Sequence, residues 1–163
     1  MGLSIPFILF LLDLLKSKNK QTFSFNKWPN KSFLSKMTIN EKLIDQNEII
    51  IEKNLLFVLN NEEKIASVVG NESAEGDIII PRSIKYKKQE YLIKCIMKDA
   101  FESSDIINSI RFPNDSEIRI IERAAFANSS IKSLTIPSSI TELKEGWLLG
   151  THDLEQIQIV ENK

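Results

Sequence analysis

The sequence predicts an α/β repeat fold. Its coils form a solenoid, each adding one short strand to a parallel ladder, and an N-terminal β-hairpin cap precedes them. Three observations carry this reading. The motif apolar-x-x-apolar-x-apolar occurs three times, at Ile107, Ile110 and Phe112, at Ile131, Leu134 and Ile136, and at Leu154, Ile157 and Ile159. The first two copies run directly into Pro113 and Pro137, and a polar residue, Asp115, Ser139 or Asn162, stands three positions after the last apolar one in each copy. Between strand motifs, an apolar residue precedes a large one by five: Ile96 and Phe101, Ile121 and Phe126, Leu143 and Leu148.

The elements follow in chain order. Residues 1–36 open with "SIPFILFLLDLL", whose unbroken apolar run, Ile5 to Leu12, is far short of the roughly 20 residues a membrane span needs. Lys16, Lys18 and Lys20 follow that run, whereas a signal peptide carries its positive charge in front. The tail therefore reads as a disordered segment or an atypical signal or anchor, with Met37 as an alternative start. Residues 37–77 read as a capping region. Within it, "NLLFVLNNEEKIASVVG" places two apolar runs around Asn60–Lys64 and predicts a hairpin at 55–69.

Residues 78–163 hold the repeats. The first unit is degenerate, supplying Ile78, Ile80, Pro81 and Ile84 from "GDIIIPRSI". The stretch "KYKKQEYLIK" that follows, with Tyr86 and Tyr91 about a polar centre, predicts a hairpin protruding from this unit. The regular units return after 23.5 residues on average, inside the leucine-rich-repeat range of about 20–29. A coil of this length buries only half of its apolar set alone, and stacked neighbours bury the rest. In "SSIKSLTIPSSITEL" the two Ser-Ser-Ile copies then belong to opposite faces of one coil. Pro137, lacking an N–H, is expected to end strand pairing. The turn after each strand is expected to be a short helical or irregular segment that drives Phe101, Phe126 and Leu148 inward.

Charge separates tail from repeats. Residues 1–40 carry six Lys and one Asp, whereas residues 41–163 carry 15 basic and 21 acidic residues, for an overall net charge of −1. The repeat region has no basic patch, which argues against nucleic acid as a partner. The single cysteine, Cys95, permits neither an internal disulfide nor a Cys-based zinc site, and among apolar neighbours it reads as a buried thiol. His152 is the only histidine, no Gly-x-Ser-x-Gly elbow is present, and only five glycines occur, so no catalytic or phosphate-binding constellation emerges. Glu72, Glu75 and Asp77 gather acid without the spacing of a calcium loop and read as a solvated acidic loop. No cofactor and no metal is indicated.

Strand alternation selects the candidate partner-binding residues. With Ile110 and Phe112 inward, Ser109 and Arg111 point out; the same arithmetic gives Ser133 and Thr135, then Gln156 and Gln158. On strands about 4.8 Å apart these six form one small polar patch. Asn-x-Ser sequons stand at Asn30, Asn71, Asn114 and Asn128, and the last two fall in expected turns where a glycan would fit.

The segments "SIRFPNDSEIRIIERAAF" and "SLTIPSSITELKEGWLLGT" closely resemble the BspA-like leucine-rich repeats of bacterial and trichomonad-parasite surface antigens. "IASVVGNESAEGDIIIPRSI" is similar to the segment that leads into such repeats in the parasite proteins, so the resemblance spans about residues 55–163. It implies a solenoid that binds a protein or cell-surface ligand without catalysis, at the cell surface or secreted. An intracellular interaction scaffold of the same fold, or a fragment of a longer surface protein, is the alternative. The chain has few repeats, and no C-terminal membrane anchor is evident. The ladder ends uncapped after Ile159, an open edge that invites self-association.

Overall fold

A computed structural model of the protein describes residues 48–161. The tail at 1–36 with its Asn30 sequon, the first part of the capping region and Asn162 lie outside the described residues. Eleven strands are described: β1 (Glu48–Glu52), β2 (Leu55–Asn60), β3 (Ile65–Asn71), β4 (Gly76–Ile79), β5 (Ser83–Tyr86), β6 (Gln89–Ile96), β7 (Ile107–Arg111), β8 (Ile120–Ile121), β9 (Ser133–Pro137), β10 (Glu142–Leu143) and β11 (Gln156–Val160). They form two sheets. One is a four-stranded parallel ladder in the order β4-β7-β9-β11. The other runs β1-β2-β3-β6-β8-β10, with β5 also paired to β6.

The repeat motif maps onto the coils with one addition. Ile107 faces the core and Ile110 does too, although strict alternation would set them on opposite faces. The register explains this: Gly76 pairs Ile107 while Asp77 pairs Ser109, so Asn108 is bulged out. Of the two unspecified residues of apolar-x-x-apolar in β7, Asn108 is thus the bulge and Ser109 the outward-facing ladder residue. Ile110, Leu134, Phe112 and Ile136 then fill the interior, joined by Phe101, Phe126, Ile118 and Ile121, with Leu148 packed against them. The expected common core of Ile110, Phe126, Ile136 and Leu148 is present. Pairing does not stop at Pro137. Pro137 is in register with Val160, and the Ser138 N–H donates to the Val160 carbonyl at 2.8 Å, so the ring costs one donor but does not end the ladder.

The α of the α/β label is corrected: no helix occurs among the described residues. The segments that follow β6, β8 and β10 are instead each a pair of successive tight turns. Ala100 N–H donates to Met97 C=O and Glu102 N–H to Asp99 C=O; the next coil repeats this with Ala125 to Glu122 and Ala127 to Ala124. The reason is backbone handedness. Asp99, Ala124 and Gly146 take positive φ two residues before the large side chain, and Ser103, Asn128 and Gly150 do so two residues after it. A left-handed residue on each side leaves no room for a helical turn to propagate.

The N-terminal strands use local pairing. β2 and β3 form an antiparallel hairpin, β1 adds antiparallel to β2, and β3 joins the second sheet parallel to β6. Asn60 holds the β2–β3 turn by accepting from the N–H groups of Glu62 and Glu63 through Oδ1. The hairpin expected around Tyr86 and Tyr91 is also there, as β5 and β6, closed by Lys87 and Lys88 at φ 46° and 67°. Positive φ at both central residues is the two-residue geometry that matches strand twist. It does not protrude: β6 runs on between β3 and β8, and both tyrosine rings are buried.

Candidate recognition face

The outer face of the four-stranded ladder is built from two rows. In the first, Asp77 pairs Ser109, Ser109 pairs Ser133, and Ser133 pairs Gln156. In the second, Ile79 is opposite Arg111, and Thr135 is opposite Gln158. All six residues selected from the sequence therefore stand on one face, and β4 adds Asp77 and Ile79. The alternation that selected the six also selects these two, because Ile78 and Ile80 face inward; reading β4 as degenerate hid them.

The face is partly internally satisfied. Ser109 is not free: it is 8% exposed, and its hydroxyl donates to Asp77 Oδ1 at 2.6 Å. Arg111 Nη2 lies 3.3 Å from Asp77 Oδ2, so one carboxylate ties two strands. Thr135 Oγ1 accepts from the Phe112 N–H at 3.1 Å. Gln156 and Gln158 are exposed, as are Arg111 and Ile79, the latter at 59%. An exposed isoleucine beside an exposed guanidinium, both held on a rigid ladder, gives the face an apolar and a charged contact side by side.

Serines of the repeated Ser-Ser-Ile segments are structural. Ser129 Oγ donates to the Phe126 carbonyl at 2.7 Å, and Ser139 Oγ donates to the Ile118 carbonyl at 2.8 Å; both are buried. Ser139, the polar residue three positions after Ile136, thus satisfies a backbone carbonyl, whereas Asp115 at the same place in its copy is exposed and lies 3.6 Å from Arg82. Behind Arg82, Glu117 is bonded by Lys94 and by Arg82, and these bonds hold its carboxyl below the usual range.

The sequons sit differently. Asn71 is half-buried, and its Nδ2 donates to Ser104 Oγ at 3.1 Å. Asn114 and Asn128 are exposed in turns, Asn128 at φ 51°.

His152 is exposed. Among the described residues no group of three or more His, Cys, Asp or Glu side chains is placed to hold a metal ion. Asp77 is engaged by Ser109 and Arg111, while both carboxyl oxygens of Glu72 are buried without a hydrogen-bond partner. Cys95 is half-buried on the second sheet, where burial above all pushes its thiol up to about 12. No helix among the described residues is long and apolar enough to cross a membrane.

Comparison with known proteins places this arrangement. Residues 77–163 match the family described as the BspA type leucine rich repeat region, in six copies. No curated protein matches the sequence. Among solved structures, the pneumococcal vaccine antigen PcpA is 17% identical at a TM-score of 0.48, over 68% of this chain and 38% of its own. A leucine-rich repeat protein from Bacteroides capillosus is 18% identical at 0.47, over 68% of this chain and 97% of its own. A leucine-rich cell surface protein from Faecalibacterium prausnitzii is 15% identical at 0.42, over 68% and 42% respectively. The family match covers more than half of the 163 residues, beginning at the strand where the parallel ladder begins. By that match, and with coils that repeat the same strand and double turn, the chain belongs to the BspA type leucine-rich repeat family.

Proposed function

We propose that this chain is a non-catalytic recognition module, exposed at a cell surface or secreted, that binds a protein partner through the outer face of the four-stranded ladder. The observation that carries the reading is the register: Arg111, Ser133, Thr135, Gln156 and Gln158 are brought onto one face by strands whose paired residues lie 23 or 24 positions apart in sequence. Solenoids of stacked repeats commonly bind protein partners on such surfaces. The surface location rests on the resemblance to surface-antigen repeats. The β1–β3 strands serve as the N-terminal cap, shielding the β6 edge of the second sheet. Asn114 and Asn128 are the sequons a glycan would use.

Four strands span only about 14 Å between outer axes. A stable interface takes about 800 Å² from each partner, so one copy is expected to bind weakly and to gain from multivalent display. The test measures binding of fluorescently labelled chain, displayed on beads, to intact cells and to immobilised extracellular-matrix proteins. Arg111→Gln with Gln158→Glu should abolish binding with at most a small drop in melting temperature, the lost Arg111–Asp77 pair being exposed. Unchanged binding by that variant sinks the face. Recovery of the native protein only in the cytosol, uncleaved and unglycosylated, would instead make it an intracellular scaffold.

A further inference from the structure

The second sheet is apolar on both of its faces. Strands β1, β2 and β3 read EIIIE, LLFVLN and IASVVGN. Such near-continuous apolar runs belong to strands covered on both sides, whereas a sheet with one wet face alternates apolar and polar residues. Ile50, Phe57, Leu59, Ala66 and Val68 take the core side. The residues between them form the other side, and the register joins them from strand to strand. One row runs from Ile49 through Val58, Ser67 and Cys95 to Ile120. Ile51 pairs with Leu56 on one side of this row, and Ile65 pairs with Leu92 on the other. All of these residues are half-buried. The outward positions of the parallel ladder hold Asp77, Ser109, Arg111, Ser133 and Thr135 instead.

Chain length and connection select what covers this face. Residues 1–47 lie outside the described residues and lead into β1 at Glu48, one position before Ile49. They carry the apolar run Ile5–Leu12, which is too short to span a membrane. Residues 13–47 separate that run from β1. A coil of this length has ends roughly 30–35 Å apart. The sheet from β1 to β10 is about 24 Å across. The tether therefore reaches the whole face and holds the run beside it at a high effective concentration. Eight residues extend at most about 29 Å, enough to cross every strand. A second copy of the chain is the poorer fit. Two or three outward residues on a strand make the face about 13 Å deep, a footprint of about 300 Å². A stable protein partner takes about 800 Å².

We propose that the outer face of the second sheet is the docking site of the chain's own Ile5–Leu12 segment. The segment lies across the row of Ile49, Val58, Cys95 and Ile120, and Phe7 and Phe10 supply most of its buried area. The sheet is then covered on both faces, as its strand sequences require. Docking withholds the run from membranes, and its release would bare an apolar segment and an apolar face together. The site is separate from the ladder face and does not depend on its function.

The experiment uses the full chain carrying Cys95→Ser and Ser4→Cys, so that a nitroxide sits beside the run, and records the broadening of backbone amide signals. Amides of β2, β3 and β6 should lose most of their intensity, and those of β7 and β9 much less. Phe7→Asp with Phe10→Asp should restore the lost intensity, and Val58→Lys with Ile65→Lys should do the same from the face. No broadening, broadening spread equally over both sheets, or broadening that survives Phe7→Asp with Phe10→Asp overturns the proposal. Broadening of an isotope-labelled chain by a separate nitroxide-bearing chain overturns it in favour of a second copy. No broadening, together with binding to phosphatidylcholine vesicles that Phe7→Asp with Phe10→Asp removes, overturns it in favour of a membrane anchor.

Discussion

Phe101 and Phe126 stack across adjacent coils, with ring centroids 5.4 Å apart and planes 14° from parallel. Trp147 of the next coil meets Phe126 edge-on at 6.1 Å and 76°. The column is held by backbone bonds at the same level: Phe101 N–H to Ala125 C=O at 2.7 Å, and Phe126 N–H to Trp147 C=O at 2.9 Å. Phe126 is therefore the residue through which neighbouring coils communicate.

Truncating the centre of that column should be costly. Phe126 is fully buried, so Phe126→Ala is expected to lose about 3–5 kcal/mol, read as a lower denaturant midpoint. A double-mutant cycle with Phe101→Ala should leave a coupling of about 0.5–1.5 kcal/mol, because the stacked pair contributes beyond area alone. Additive losses would show that the stacking is incidental.

The left-handed turn positions make opposite predictions for alanine and glycine. Ala124 sits at φ 55°, where an L side chain is strained; Ala124→Gly should release that strain and, after the larger unfolded-state entropy is deducted, gain about 0.5–1 kcal/mol. Gly150 sits at φ 73°, and an added Cβ would lie 2.2 Å from Asn128 Oδ1. Gly150→Ala should lose at least about 1 kcal/mol. Thermal melts of the two variants should move in opposite directions.

These turns also mark the limit of what the sequence reveals. The inward set of Ile110, Phe126, Ile136 and Leu148 was legible because a strict repeat specifies which side chains recur at the core. The turn type was not. A spacing of five fits a helical turn and two successive tight turns equally, and the deciding left-handed residue is Asp99 or Ala124 in two coils and a glycine, Gly146, in only one. The six outward strand positions were legible from alternation, but the burial of Ser109 depends on Asp77, 32 residues earlier. Likewise Tyr86 and Tyr91 read as part of a projecting hairpin because the pairing of β6 with β3 and β8 is non-local.

Cys95 should be chemically silent in the folded protein. Burial first, and the nearby carboxylates of Glu122 and Glu142 next, raise its pKa to about 12. At pH 8 the thiolate then amounts to roughly one part in ten thousand, against about a quarter for an ordinary thiol. Iodoacetamide should label the native chain far more slowly than the chain in denaturant. Equal rates would place the thiol in water.

Glu72 should make stability depend on pH in the direction opposite to a paired carboxylate. Both of its oxygens are buried without a hydrogen-bond partner, and burial raises its pKa above 4.5. An acid whose folded pKa is raised binds its proton more tightly when folded. Its contribution is therefore neutral below the unfolded value and becomes unfavourable as pH climbs through the unfolded pKa toward the folded one. Glu72→Gln removes the charge and keeps the shape. It should raise the melting temperature at pH 7 and change it little at pH 4. Glu117, held down by Lys94 and Arg82, supplies the internal contrast. Its stabilisation is present above the unfolded pKa and fades as pH falls through the lower folded one, so Glu117→Gln should lower the melting temperature at pH 7. If both substitutions shift stability in the same direction at pH 7, the carboxyl of Glu72 has found a partner or reached solvent.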